Sequence, residues 1–173
     1  RDLPRPSIDP DGLGRVMLSS GTTRVPRRVG LSWRRLDAAI HGAVAAYAYG
    51  RLGVWIPVLG IDAMMGLTQA ITAWSVGAAV ANGYPVDELA GPMERYGSGI
   101  ICMTPIQLRH LLARLPEGFA PQPGWMITTG GSALPLSVAR EARLRLTPDI
   151  RVIYGATEAG LAATGHAAGL ETA

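Results

Sequence analysis

Three short stretches carry residue types that could do chemistry together. In "SSGTT", residues 19–23, the hydroxyls of Ser19, Ser20, Thr22 and Thr23 surround Gly21, and arginines follow at Arg24, Arg27 and Arg28. Hydroxyl donors, a glycine that admits close backbone approach and nearby positive charge make a phosphate-binding loop, although a polar turn uses the same residues. The stretch is not the G-x-x-x-x-G-K-[ST] pattern, and no G-x-G-x-x-G occurs after any apolar run. In "TTGGS", residues 128–132, Gly130 and Gly131 let the backbone lie against a flat group such as a purine ring, or simply turn a strand into the helix opened by Pro135. In "YGATE", residues 154–158, Tyr154 offers an aromatic face, Gly155 a tight turn, Thr157 a hydroxyl and Glu158 a carboxylate. A loop glutamate is either solvated or, beside bound phosphates, a Mg²⁺ ligand, since that ion usually takes one or two carboxylates plus phosphate and water oxygens.

Such residues need elements to position them, and the hydropathy pattern supplies those elements. Short apolar runs at 15–20, 54–58, 75–80, 99–103, 124–129 and 150–155 read as strands. Helical spacing lies between them: Trp33, Leu36, Ile40 and Tyr47 after Ser32; Leu108, Leu111, Leu112 and Leu115 after Thr104 and Pro105; and further patterns opened by Pro85 and Pro135. Strands apolar throughout and alternating with helices predict an α/β fold, a doubly wound and mostly parallel sheet with helices on both faces. Ligands of such sheets bind beyond the carboxyl ends of the strands. The three stretches all follow strands, so they are expected to gather on one edge of the fold.

The composition excludes several alternatives. The 173 residues suffice for one domain with a real core, and 48% of them are hydrophobic, which argues against disorder. All 16 basic residues are arginine, five of them between Arg24 and Arg35. The aromatic side chains that a single-strand nucleic-acid binder interleaves with its charge are missing there apart from Trp33, which argues against nucleic acid. The lone Cys102 sits in an apolar strand and reads as a small core residue; the absence of a disulfide framework points to a reducing, cytoplasmic setting. The apolar region 52–81 is broken by Pro57, Asp62, Gln69 and several glycines, so no membrane span is expected. His41 and His110 fall within helix patterns as surface or packing residues. The opening "RDLPRPSIDPDG" and the unpunctuated end "GHAAGLETA" read as the margins of a segment from a longer protein, with no signal peptide at its start.

In this order and at this separation, the three stretches resemble the core motifs of the adenylate-forming superfamily: acyl-CoA synthetases, peptide-synthetase adenylation domains and luciferases. "SSGTTRVPRRV" is similar to its S-S-G-[ST]-T-G-x-P-K-G-V loop, "TTGGSALP" to its G-G-[AS]-x-[LM] segment, "YGATE" to Y-G-x-T-E, and "GLSWRRL" to L-[ST]-H-x-N-L. The resemblance covers nearly the whole chain and implies the acyl-CoA synthetase-like fold. It implies that Ser20, Gly21, Thr22 and Thr23, with Arg27 in the place of the family lysine, hold the β- and γ-phosphates of ATP. Gly131, Ser132 and Ala133 would line the adenine and Tyr154 would stack on it. Thr157 would touch the α-phosphate and Glu158 would hold Mg²⁺, giving these two the catalytic positions. The implied reaction converts a carboxylic acid and ATP to an acyl-adenylate and pyrophosphate, followed by thioester formation with coenzyme A. An acyl-CoA ligase, with a place in fatty acid metabolism, is preferred over a peptide-synthetase module. A non-catalytic nucleotide-binding or interaction module with a drifted loop is the alternative.

The departures from the family pattern bear on that alternative. Arg24 and Arg28 stand where the family has glycine, and Gly60 stands where an aromatic residue or histidine commonly guards the acyl pocket. The expected organisation is an edge or linker segment at 1–15, the phosphate-loop strand and turn at 16–35, a doubly wound nucleotide- and acyl-binding subdomain at 36–160, and a loose tail at 161–173 that includes His166. The ribose-binding Asp and the small C-terminal catalytic domain of the family would fall after residue 173, so the isolated chain is expected not to complete the reaction alone.

Overall fold

A computed structural model of the chain describes residues 7–19, 27–48 and 53–171. Strand β1 (Leu13–Ser19) pairs antiparallel with β2 (Arg27–Ser32), and helix α1 (Trp33–Ala43) follows directly, continuing as a wider turn over Val44–Ala48. A six-stranded sheet then takes β3 (Val54–Pro57), β4 (Ala79–Val80), β5 (Gly99–Met103), β6 (Trp125–Gly130), β7 (Asp149–Ala156) and β8 (Gly160–His166) in the order β4-β3-β5-β6-β7-β8. All pairs are parallel except β7 with β8. Helices α2 (Met64–Ser75), α3 (Ala90–Tyr96), α4 (Pro105–Arg114) and α5 (Leu136–Arg145) make the crossovers.

Alternation along the strands builds a core on each face. Ile56, Ile101, Met103, Ile127 and Ile150 pack on Leu89 and Met93, on Leu108 and Leu111 of α4, and on Ala139 and Ala142 of α5. Trp55, Ile100 and Met126 point the other way, toward Ala43 of α1 and Ala73 of α2. Each buried Leu, Ile or Met side chain contributes about 1.5–3 kcal/mol of transfer free energy, so these two layers are what hold the sheet. A third cluster, Met17, Leu31, Leu36 and Leu67, fastens the β1–β2 ribbon to α1 and α2. Strand succession moves one way from β3 to β4 and the other way from β5 to β7, which leaves a switch point between β3 and β5.

The helix starts follow the sequence signals. Ser32 Oγ accepts from the Arg35 N–H at 3.4 Å. Thr104 heads α4 with a full capping box: its Oγ1 accepts from the Gln107 N–H at 3.2 Å, while Gln107 Oε1 accepts from the Thr104 N–H at 2.8 Å. Pro135 precedes α5, and Pro85 precedes a 3₁₀ turn at Val86–Glu88 that leads into α3.

Three expectations are corrected, and one element, the third below, had no sequence signal. First, the strand expected at 15–20 runs over Leu13–Ser19 among the described residues and belongs to a separate antiparallel ribbon, not to the parallel sheet. Met17 is buried while its neighbours Val16 and Leu18 are exposed, which is the one-sided pattern of an antiparallel ribbon. Second, the strand expected at 75–80 shrinks to Ala79–Val80, because α2 extends to Ser75 and Gly77, at φ 78°, turns the chain. Third, α2 itself carries apolar and small residues on several sides and no side-chain cap at Ala63, so periodicity did not mark it within the apolar stretch. Fourth, the tail expected to be loose begins with β8 and a 3₁₀ turn at Ala167–Glu171, in which Ala167 is fully buried. His166 ends that strand: its Nδ1 accepts from the Ala168 N–H at 3.2 Å and its Nε2 lies 3.5 Å from Asp149 Oδ1.

Cys102 is buried in the core, and burial pushes its thiol up to about 12 despite a hydrogen bond with Thr128. Among the described residues no helix is long and apolar enough to cross a membrane.

Candidate functional site

The carboxyl ends of β3, β5, β6 and β7 open on one cavity of about 750 Å³, within the range of small-molecule sites. The β1–β2 ribbon closes one side of it with Leu18, Ser19 and Arg27, and α1 contributes Ala39 and Ala43. The first turn of α2 supplies Met64, Met65 and Thr68, and Leu59 comes from the turn after β3. Gly130 and Gly131 come from the end of β6, and Thr157 and Glu158 from the turn that joins β7 to β8. That turn is tight because the Ala159 N–H reaches the Ala156 carbonyl at 3.1 Å and Gly160 adopts φ 73°.

The sequence-derived site residues divide into three groups. Arg27, Gly131, Thr157 and Glu158 are brought together on the cavity wall. Ser132, Ala133 and Tyr154 are not in that wall: Ser132 and Ala133 are exposed just past it, and Tyr154, 73% exposed, lies between the lining residues Ile153 and Gly155, where the β7–β8 register is broken. Ser20, Gly21, Thr22 and Thr23, with Arg24, lie outside the described residues. Arg27 and Arg28 both sit in extended β2, opposite Ser19 and Leu18. An extended backbone suits any residue, so position 28 needs none of glycine's conformational freedom.

Charge is unevenly placed around the cavity. Among the described lining residues the only cation is Arg27 and the only carboxylate is Glu158. Elsewhere in the arginine-rich segment Arg34 is held by Asp11 through two bonds of 2.7 and 2.8 Å, and this pairing lowers the Asp11 carboxyl below its ordinary value. No group of three His, Cys, Asp or Glu able to hold a metal ion occurs among the described residues. A single carboxylate on a cavity wall nevertheless fits a Mg²⁺ that brings most of its oxygen ligands with a nucleotide.

Sequence reasoning missed the part played by α2, and it set Gly60 at the guard position of the acyl pocket, whereas Gly60 does not line the main cavity. The first turn of α2 lies so close to the turn after β3 that a Cβ on Gly66 would run into the Gly60 carbonyl. Gly60, at φ 71°, lines a second cavity of about 420 Å³ with Pro57, Asn82 and Tyr84 rather than the main one, and a Cβ there would meet nothing within 4 Å. The Gly60–Gly66 contact thus packs the start of α2 against the turn that lines the second cavity. A related close approach holds at Gly130, where a Cβ would come 2.7 Å from the Ile153 carbonyl oxygen and 3.4 Å from Met65 Sδ.

A mostly parallel α/β sheet with a cavity beyond the carboxyl ends of its strands, beside a switch point, has the architecture in which such sheets bind their ligands. The profile of the AMP-binding enzyme family matches residues 1–172, and the chain belongs to that family of adenylate-forming ligases. A curated relative, salicyl-AMP ligase / salicyl-S-ArCP synthetase of Mycobacterium tuberculosis, is 31% identical over 164 residues; the match covers 90% of this chain and 28% of that protein. Among solved structures, o-succinylbenzoate coenzyme A synthetase (MenE) from Bacillus subtilis, in complex with ATP and magnesium ion, superposes with a TM-score of 0.77 at 20% identity, covering 96% of this chain and 35% of that one. The amide bond synthetase McbA from Marinactinospora thermotolerans gives 0.73 at 24% identity, covering 97% and 35%. At these identities the structural likeness is one of fold. The chain spans about a quarter to a third of the length of these relatives.

Proposed function

We propose that this chain is the nucleotide- and acyl-binding part of an enzyme that activates a carboxylic acid with ATP, forming an acyl-adenylate and then a thioester with a thiol such as coenzyme A. The observation that carries this reading is the convergence of the ribbon end, the β6 end and the β7–β8 turn on one cavity whose wall holds both Arg27 and Glu158. In the activation step a carboxylate oxygen of the acid bonds to the α-phosphorus, the bond from that phosphorus to the bridging oxygen breaks, and pyrophosphate leaves. No protein nucleophile takes part, so catalysis consists of positioning and of stabilising charge. Arg27 would bind the β- and γ-phosphates as a planar fork. Thr157 would donate to the α-phosphate, Gly131 to Ala133 would border the adenine, and the exposed ring of Tyr154 would stack on it. Glu158 would hold Mg²⁺, which when bound supplies charge neutralisation at the phosphates.

Nucleotide titrations of single variants test these roles. Arg27→Ala is expected to weaken ATP binding more than AMP binding, because only ATP presents β- and γ-phosphates. Tyr154→Ala is expected to weaken both nucleotides alike, with or without Mg²⁺. Equal losses in Arg27→Ala remove that residue from the phosphate site, and unchanged affinities in Tyr154→Ala remove the ring from the adenine site.

A further inference from the structure

The cavity is larger than its charged part. Arg27 enters from the start of β2 and Glu158 from the β7–β8 turn, whereas the turn after β3, the first turn of α2 and the end of β6 bring no charge at all. That second region is made by Leu59, Ala63, Met64, Met65, Thr68 and Ile153, with Met65 Sδ close over Gly130.

The hydroxyls here are already committed as donors. Thr68 Oγ1 donates to the carbonyls of Met64 and Met65 at 2.9 and 3.1 Å. Thr104, also on the wall, donates to Gln107 Oε1 at 3.2 Å and accepts from the Gln107 N–H. What they have left is lone pairs, which accept from a neutral hydroxyl or amide but cannot donate to a carboxylate. The buried Gln69 below α2 is likewise engaged, its Nε2 donating to Thr128 Oγ1 at 3.4 Å. The carboxylate nearest in sequence, Asp62, is fully exposed, lines the second cavity instead and stands 3.9 Å from Arg15.

From this arrangement we infer that the acid taken by this site is a monocarboxylic acid with an uncharged, largely apolar body, on which a neutral hydrogen-bond donor is tolerated. The inference rests on the adenylate-forming reading of the same cavity. A second carboxylate lodged in this region would lose its water and, among the described residues that form the region, find neither a cation nor a free side-chain donor. An ammonium would find lone pairs but no opposite charge. Burying an ion without a partner is heavily penalised, and this cost falls on both dicarboxylic and amino acids.

The test uses the 173-residue chain and four non-hydrolysable mimics of the acyl-adenylate that differ in one substituent. They are the sulfamoyl-adenosines of benzoic, 3-hydroxymethylbenzoic, 3-carboxybenzoic and 3-aminomethylbenzoic acid, titrated by calorimetry beside AMP. The benzoyl and hydroxymethyl compounds are expected to bind within about tenfold of each other, and the two charged ones about a hundredfold more weakly. The Met65→Lys chain, if folded, is expected to restore binding of the carboxy compound selectively. If AMP binds but the charged compounds bind as well as the neutral ones, the inference falls and the nucleotide site stands. If a folded chain binds neither AMP nor any mimic, the adenylate-forming reading fails and takes the inference with it.

Discussion

Replacing Gly66 by alanine should destabilise the chain, although alanine is the better helix former. Gly66 sits in the first turn of α2 and is buried. A Cβ built there would lie 2.6 Å from the carbonyl carbon of Gly60 and nearer still to its oxygen, about 0.8 Å or more inside ordinary van der Waals contact. The obstacle is backbone, so no rotamer change relieves it; α2 or the turn after β3 must move. Overpacking of this kind costs about 1–3 kcal/mol, against which the higher helix propensity of alanine returns up to about 1 kcal/mol. The net expectation is a loss of about 1–2 kcal/mol, which at this chain length lowers Tm by about 2–8 °C. Gly42, near the end of α1, is the internal control: it is exposed, and a Cβ there meets nothing within 4 Å. Gly42→Ala should therefore gain about 0.5–1 kcal/mol through helix propensity and reduced freedom of the unfolded chain. Thermal denaturation followed by circular dichroism measures both. A rise in Tm for Gly66→Ala comparable to that of Gly42→Ala would refute the close approach of α2 to the turn after β3.

Two further expectations concern the core around the site. Thr104→Ala removes one half of the capping box of α4 and should cost about 1 kcal/mol in denaturant titrations; Thr104→Ser should restore most of it, and a neutral alanine variant would show the cap to be idle. The Cys102 thiol, raised by burial from the ordinary 9.0 to about 12, stays protonated in the folded chain where an unfolded chain already ionises. Its share of stability is thus complete below pH 9 and is lost as pH rises from there toward 12. In thiol titration with an aromatic disulfide at pH 8, Cys102 should react only as fast as the chain opens and at once in denaturant; immediate labelling of folded chain contradicts its burial.

Much of the fold was legible in the sequence, for identifiable reasons. Strands β5 and β6 are rich in apolar residues and buried along their whole length because helices cover both faces, and Thr104–Pro105 and Pro135 announce their helices by backbone chemistry that tertiary context rarely overrides. What escaped are elements whose residues carry weak local signals. Strand β8, "GLAATGH", is built of small residues poor in strand preference and is ordered by its pairing with β7. Helix α2 is apolar on several sides and uncapped, so neither period nor terminus marked it, and with it went unread the part of the cavity wall made by Met64, Met65 and Thr68. Gly131, Thr157 and Glu158, picked out in the sequence as loop chemistry, line one cavity at the strand ends. The uncharged region could not be read this way, because methionine, alanine and leucine in sequence do not reveal whether they face a core or a cavity.

The most direct test of the central claim is calorimetric titration of the chain with Mg-ATP and with AMP, beside the Glu158→Gln variant. The chain is expected to bind Mg-ATP more tightly than AMP, and Glu158→Gln to lose most of the Mg²⁺-dependent part of ATP affinity while keeping its fold and its AMP affinity. Identical nucleotide affinities in the two proteins, or no binding of either nucleotide by the folded chain, would contradict the claim.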